Sequence, residues 1–172
     1  MSTELIHRSH KSILAFSSAT YSPCEQYRYI LLREWSVSPK VNFIMLNPST
    51  ATEQQNDATV ERCQRRAEML GFGGLMVTNL FAYRATDPKD MKRQADPVGP
   101  DNDEVIIAAA DDADMVICAW GGHGNHLGRA GKVLEMLRGH QRISCKLHAL
   151  KTTNGQPWHP LYLPYRLQPR PF

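Results

Sequence analysis

Apolar residues along the chain fall into two periods. Val41-Asn42-Phe43-Ile44-Met45-Leu46 is a nearly continuous apolar run bounded by Pro39 and Pro48, the pattern of a strand buried on both faces. The stretch from Asp57 to Leu70 instead puts Val60, Cys63, Ala67 and Leu70 at helical spacing and stops at Gly71. The same alternation then repeats. Leu75 to Asn79 predicts a strand, Asp101 to Asp111 a helix with carboxylates in its first turn, Met115 to Trp120 a strand, Asn125 to Arg138 a helix, and residues 145–150 a last strand. Ahead of these, Ser12 to Thr20 and Arg28 to Trp35 are β-like runs flanking Tyr21-Ser22-Pro23-Cys24-Glu25, which predicts an antiparallel hairpin leading in. The order implies an α/β fold: a three-layer α/β/α sandwich with a central parallel sheet of about four strands and an N-terminal β-hairpin. One domain spanning residues 1–172 is expected from the length.

Composition narrows the classes. No apolar run approaches the roughly 20 residues of a membrane span, and Met1-Ser2-Thr3-Glu4 lacks the features of a secretory signal, so a cytoplasmic protein with no membrane partner is expected. Cys24, Cys63, Cys118 and Cys145 form no Cys-x-x-Cys pair and read as buried free thiols. His7/His10 and His123/His126 lack the cysteine or carboxylate company of a metal site, so no metal and no cofactor are expected. A net charge of +3 permits nucleic acid as a partner. Arg62, Arg65 and Arg66 cluster on one helix, either as a positive face or as a solvated surface.

Function in an open α/β sheet collects at the carboxyl ends of its strands. Four polar or glycine-rich spots are predicted at that edge, each following a parallel strand: Asn47-Pro48, Asn79, Trp120-Gly121-Gly122 and His159-Pro160. Pro48 fixes φ and keeps Asn47 out of helical geometry, holding its amide on a stiff bend. Together they supply amides that can read a planar heterocycle, an imidazole for a developing oxyanion, and an aromatic surface. Residues 84–100, a polar segment carrying Pro88, Pro97, Gly99 and Pro100 with little periodicity, read as a long loop, functional or mobile.

These residues resemble the uracil-DNA glycosylase superfamily, in which an early Asn-Pro or Asp-Pro turn pairs with a late His-Pro or Asn-Pro motif. Leu46-Asn47-Pro48-Ser49 is similar to the first and His159-Pro160-Leu161-Tyr162 to the second. Val77-Thr78-Asn79-Leu80-Phe81-Ala82 and Ile117-Cys118-Ala119-Trp120-Gly121 resemble the strand ends between them. More of the chain, at residues 47–51, 79–88, 96–103 and 159–163, resembles a bacterial and phage family catalogued only as a domain of unknown function. The chain departs from the glycosylase pattern in three ways. It has Met45-Leu46 in place of Gly before the turn, Asn47 where the most active uracil enzymes have an aspartate, and Ser49-Thr50 where relatives have Tyr-His or Gly. An Asn cannot act as a general base, though it can hold a water.

The resemblance implies a uracil-DNA-glycosylase-like fold and a DNA glycosylase acting as a monomer on a flipped, modified or mismatched pyrimidine in DNA, with defence against phage DNA as a variant. It implies catalytic roles for Asn47, which positions water, His159, which stabilises the departing base, and Asp57, which activates water or simply caps the helix it starts. Asn79, Ser49 and Trp120 would bind the base; Arg84, Gly122, His123, Lys151 and Arg166 would contact DNA. Trp120 also fits a plain core position. Two other readings stand beside this one: a non-catalytic module binding modified DNA, and a hydrolase or transferase acting on free nucleosides or nucleotides.

Overall fold

A computed structural model describes residues 4–37 and 39–172. The chain runs β1 (Ile6–Lys11), β2 (Phe16–Tyr21), β3 (Arg28–Glu34), β4 (Lys40–Met45), α1 (Ala58–Met69), β5 (Gly74–Asn79), α2 (Pro88–Lys92), α3 (Asn102–Asp112) and β6 (Met115–Cys118). A 3-10 stretch over Gly122–Gly128 follows, then α4 (Arg129–Arg138), α5 (Gln141–Ser144), β7 (Leu147–Ala149), β8 (Thr152–Thr153), β9 (Gln156–Pro157), a 3-10 turn over Pro160–Tyr162 and β10 (Arg170–Pro171). None of the described helices is long and apolar enough to cross a membrane.

The fold is mixed α/β, and among the described residues its main sheet has eight strands in the order β1-β2-β3-β5-β4-β6-β7-β10. The four expected parallel strands, β5, β4, β6 and β7, are its middle. The sheet is larger than expected because β3 pairs antiparallel with β5 through Leu31 to Glu34, so the hairpin is part of the sheet rather than a lead-in. β1 adds a further antiparallel strand on β2, and β10 brings the C-terminal tail back onto β7. Neither shows in the apolar pattern. β1 is a solvated edge strand of mostly polar residues, and β10 is two exposed residues.

Alternation along β4 divides the interior in two. Val41, Phe43 and Met45 pack with Val60, Cys63 and Ala67 of α1, while Ile44 packs with Ile106 and Ala110 of α3 and with Val133 and Leu137 of α4. Helices therefore flank the sheet on both faces. Boundaries shift inside the predicted ones: the strand expected to reach Trp120 ends at Cys118, and the last strand keeps only Leu147–Ala149. The helix expected from Asn125 begins at Arg129, because Gly122–Gly128 is irregular, with Leu127 and Gly128 at positive φ. Residues 84–100 contain α2, capped by Asp87 with Pro88 in its first turn. Cys63 and Cys118 are buried as expected, whereas Cys24 and Cys145, on a turn and a helix end, are exposed.

Helix α1 carries one wall of the site and is closed at both ends. Asp57 caps its first turn, accepting from the Val60 N–H at 2.8 Å. At the other end Gly71, with φ of +86°, donates to the Glu68 carbonyl while Phe72 donates to that of Ala67, a left-handed closure that glycine makes without strain. The arginine cluster is not a positive face. Arg66 is buried, and its guanidinium donates to the carbonyls of Leu163, Pro164, Tyr165 and Leu167 at 3.1–3.3 Å. Arg62 donates to the Leu163 carbonyl and lies 4.4 Å from the Tyr165 ring centroid; Arg65 is exposed and paired with Glu61.

Arg66 thus ties the tail that follows His159 to α1. Arg66→Met removes four hydrogen bonds and leaves the Tyr165 and Leu167 carbonyls without this donor, while those of Leu163 and Pro164 keep Arg62 and the Leu167 N–H. A hydrogen bond to a charged donor is worth about 1.5–3 kcal/mol, so urea unfolding should show a loss of about 2–4 kcal/mol, with faster amide exchange at Leu163 and Leu167. Unchanged stability would refute the tether.

Candidate functional site

The parallel register sets the site. Met45 of β4 lies opposite Asn79 of β5, and Ile44 lies opposite Cys118 of β6. Pairing continues past the strand ends: Leu80 donates to the Met45 carbonyl at 2.8 Å, Phe81 to that of Leu46 at 3.0 Å, and Ala85 to that of Pro48 at 2.9 Å. Asn47 is therefore held beside Asn79. Gly121 donates to the Pro157 carbonyl at 2.9 Å, which draws the β8–β9 hairpin and His159 over the same edge. His159 does not follow a parallel strand directly, as the sequence pattern suggests; eight residues of hairpin and loop separate Ala149 from Trp158.

Arg28, Asn47, Ser49, Asp57, Asn79 and His159 meet around an inner recess of about 40 Å³, closed by Met45, Thr59 and Val60. Asn47, Ser49, Asp57, Thr59 and His159 also border an outer cavity of about 660 Å³ that reaches Thr86, Trp120, Gly122, His123 and Tyr162. The recess admits the edge of a ring, and the outer cavity has room for a nucleoside.

Asn79 is 1% exposed, yet among the described residues neither Nδ2 nor Oδ1 of its side chain has a hydrogen-bond partner. Its backbone is held firmly. Asn102 at the start of α3 donates to the carbonyls of Asn79 and Leu80 at 3.0 and 3.1 Å, and Arg129 Nε donates to that of Leu80 at 2.8 Å. An unpaired buried polar group costs about 1–3 kcal/mol, and such groups are rare enough in folded proteins to require a reason.

The other polar groups are oriented by the backbone around them. Asn47 Nδ2 donates to the carbonyls of Ala85 and Pro48 at 2.7 and 3.1 Å, which leaves its Oδ1 to accept from a guest molecule. Asp57 accepts from Ala51 N–H at 3.3 Å as well as from Val60, so the helix cap is also a wall of the recess. His159 Nδ1 accepts from the Leu161 N–H at 3.4 Å, which assigns the proton of the neutral ring to Nε2. Burial lowers the His159 pKa, with the Asp57 carboxylate opposing in part, so the ring is neutral at pH 7.

The remaining predicted residues are placed as follows. Ser49 Oγ approaches Thr86 Oγ1 at 3.5 Å on the cavity rim. Trp120 is only 2% exposed, with Nε1 donating to Gln156 and its ring edge-on to Phe172, so it offers no open stacking face. Its close neighbour Gly124 leaves no room for a side chain, since a Cβ there would lie 2.2 Å from the Trp120 ring. Gly122 and His123 border the outer cavity, and His123 Nδ1 is 3.0 Å from Lys92 Nζ. Arg84 lies outside these walls, bonded to the Glu25 carbonyl and set over the Tyr21 ring. Lys151 and Arg166 line a separate groove of about 480 Å³ with Arg170; Lys151 stacks on Trp158 with Nζ 3.8 Å from the ring centroid.

The sequence pattern misses Arg28, Trp158 and Tyr162. Arg28 is a charge at the start of an apolar run, and that was its only signal. Trp158 and Tyr162 bracket His159 and are 40% and 85% exposed. They line a third cavity, of about 540 Å³, with Gly121, Gly122 and His159. Among the described residues no group of three or more His, Cys, Asp or Glu is placed to hold a metal ion.

A family model described as Protein of unknown function (DUF1643) matches residues 28–161. The four motifs quoted above lie in that span, the last running two residues beyond it. No curated protein and no solved structure matches the chain.

His159 has a measurable consequence for stability. With its folded pKa lowered, the unfolded chain takes up a proton that the folded chain does not, so stability falls as pH drops through the ordinary imidazole value of 6.5 toward the folded one. The stability of the wild type relative to His159→Gln should therefore decline between about pH 7.5 and 5 in urea unfolding. A difference that is constant with pH, or that grows in acid, would contradict a buried neutral ring.

Proposed function

Because the chain belongs to that family, whose description names no activity, its chemistry has to come from the cavity, and we propose that it is a DNA glycosylase. The reaction is hydrolysis of the N-glycosidic bond of a modified or mismatched pyrimidine flipped out of DNA. One observation carries the reading: the Asn79 side chain, a buried donor and acceptor side by side, both unpaired, at the floor of the site. A pyrimidine presents the complementary acceptor and donor on its Watson–Crick edge. Flipping costs a few kcal/mol, which pairing in the recess offsets.

In the chemical step the bond from the sugar C1′ to the base nitrogen breaks with its electron pair leaving on the base. A water held by Asn47 Oδ1 bonds to C1′, its proton passing to Asp57 and from there to the base. His159, neutral, donates from Nε2 to the departing anion; a preorganised donor of this kind is typically worth about 2.7–4 kcal/mol. Exposed Trp158 and Tyr162 and the basic groove of Lys151, Arg166 and Arg170 support a nucleic-acid partner, since stacking and phosphate pairing are what single strands and flipped nucleotides require. The reading includes distant membership of the uracil-DNA glycosylase superfamily with its three-layer sandwich, cytoplasmic action as a monomer, and phage-DNA defence as a setting.

A second reading, a module that binds modified DNA without cutting it, is favoured by one feature. Asn47 is an amide and cannot act as a base, and Asp57, the carboxylate of the recess, already accepts a backbone N–H on each oxygen, which competes with its taking a proton from water.

The test is an abasic-site assay on DNA carrying uracil, mismatched pyrimidines, and hydroxymethylated or glucosylated pyrimidines, read as alkali-labile breaks. Breaks at one base are expected, reduced roughly 100- to 1,000-fold in His159→Ala and in Asn79→Leu, by the magnitude of one lost oxyanion donor. Selective binding without breaks would select the second reading. Breaks that persist unchanged in Asn79→Leu would remove the proposed base contact.

A further inference from the structure

Arg28 has no part in the scheme above, yet it lines the inner recess beside Asn79, Asp57 and His159. It is 1% exposed. Its guanidinium donates from Nη1 to the Ala51 carbonyl, its Nε has no partner, and among the described residues it forms no ion pair. A buried cation held in no ion pair is a costly feature, and other side chains fill a strand end without it. Burial pulls its pKa down to about 10, so it stays protonated at neutral pH. The Asp57 carboxylate opposes that fall in part, while each of its oxygens accepts a backbone N–H, from Val60 and from Ala51.

The recess thus joins a fixed cation to an amide with open donor and acceptor, and the first turn of the 12-residue α1, at Ala58 and Thr59, faces the adjoining cavity with its positive end. We propose that Arg28 is a catalytic and specificity residue of this site: its guanidinium contacts the acceptor edge of the bound base and holds the negative charge left there when the bond to the sugar breaks. Arg28 transfers no proton in this step; the electron pair of the broken bond is delocalised onto the ring oxygen it faces. A guanidinium has donors only, so it selects a base with a carbonyl at that position and rejects one with an exocyclic amine. The inference rests on the glycosylase reading for its catalytic half, while the selection of an acceptor-edged base by the recess stands apart from it.

Two measurements test it, using the full chain with Arg28→Met and, because loss of a buried charge can affect folding, the charge-retaining Arg28→Lys. The first is calorimetric binding of free 5-fluorouracil, an acidic imide, and free cytosine at pH 7. The wild type should favour 5-fluorouracil at least 10-fold, Arg28→Met should lose most of that preference, and Arg28→Lys, which keeps a cation with donors only, should retain part of it. The second is excision of pyrimidines whose 5-substituents vary leaving-group acidity. Loss of the charge contact should steepen the dependence, slowing poor leaving groups at least 100-fold and good ones less than 10-fold, a change that misfolding, which scales all rates alike, does not produce. Equal preference in wild type and Arg28→Met, or competition by inorganic phosphate as effective as by 5-fluorouracil, overturns the proposal. Excision with an unchanged dependence in Arg28→Met removes Arg28 and leaves the glycosylase reading intact. Arg28-dependent binding with no excision of any base removes that reading and leaves the recess as a base-selective site.

Discussion

Parallel pairing of β4 with β5 and β6 makes the rest of the site possible, because it ends three strands at one edge and fixes which residues meet there. With Met45 opposite Asn79, the Asn47-Pro48 turn and the Asn79 side chain arrive together, and the hydrogen bonds from Leu80 and Phe81 to the carbonyls of Met45 and Leu46 carry that alignment beyond the strands. A slip of one residue would turn every side chain of β5 to the opposite face and bury Asn79 in a hydrocarbon core. The anchors behind this edge are polar. Asn102 and Arg129 occupy the carbonyls of Asn79 and Leu80, leaving the Asn79 side chain free while its backbone is fixed.

The price of that arrangement is a group of buried polar atoms that the protein alone does not satisfy. Asn79 contributes a donor and an acceptor, and Arg28 a donor and a charge. A fold under selection for stability alone removes such groups, and they gather where strain or desolvation is released by a ligand. His159 belongs to the same economy: held neutral by burial, it keeps an N–H to give without carrying a charge into the recess. The tail that presents it is clamped to α1 by the buried guanidinium of Arg66.

Much of the parallel core was legible because its strands are apolar runs and its helices have apolar positions at helical spacing. The convergence of Asn47, Asn79 and His159 follows from the rule that loops at carboxyl ends share an edge, although His159 reaches it by way of the β8–β9 hairpin rather than from a strand end. What stayed hidden depends on partners distant in sequence. β1 is polar throughout its exposed length, β10 is two residues, and the roles of Arg62 and Arg66 depend on a tail about one hundred residues away. Spacing could not separate Arg84, which braces a turn, from Arg28, which lines the recess. The segment Asp96 to Asp103 is a scaffold more than a loop: its Val98 and Pro97 carbonyls accept from Ala82 and Tyr83, and its Asn102 holds the end of β5.

The central claim is that the Asn79 amide pairs with a nucleobase edge. The direct measurement is the side-chain amide resonance of Asn79 in nitrogen-15-labelled protein, assigned by Asn79→Asp, during titration with duplexes carrying non-cleavable 2′-fluoro pyrimidine nucleotides. The account predicts a large shift of that resonance with one base, with contacts from its amide protons to the base. DNA that binds and perturbs His159 while the Asn79 side chain keeps its free-state resonance would contradict it.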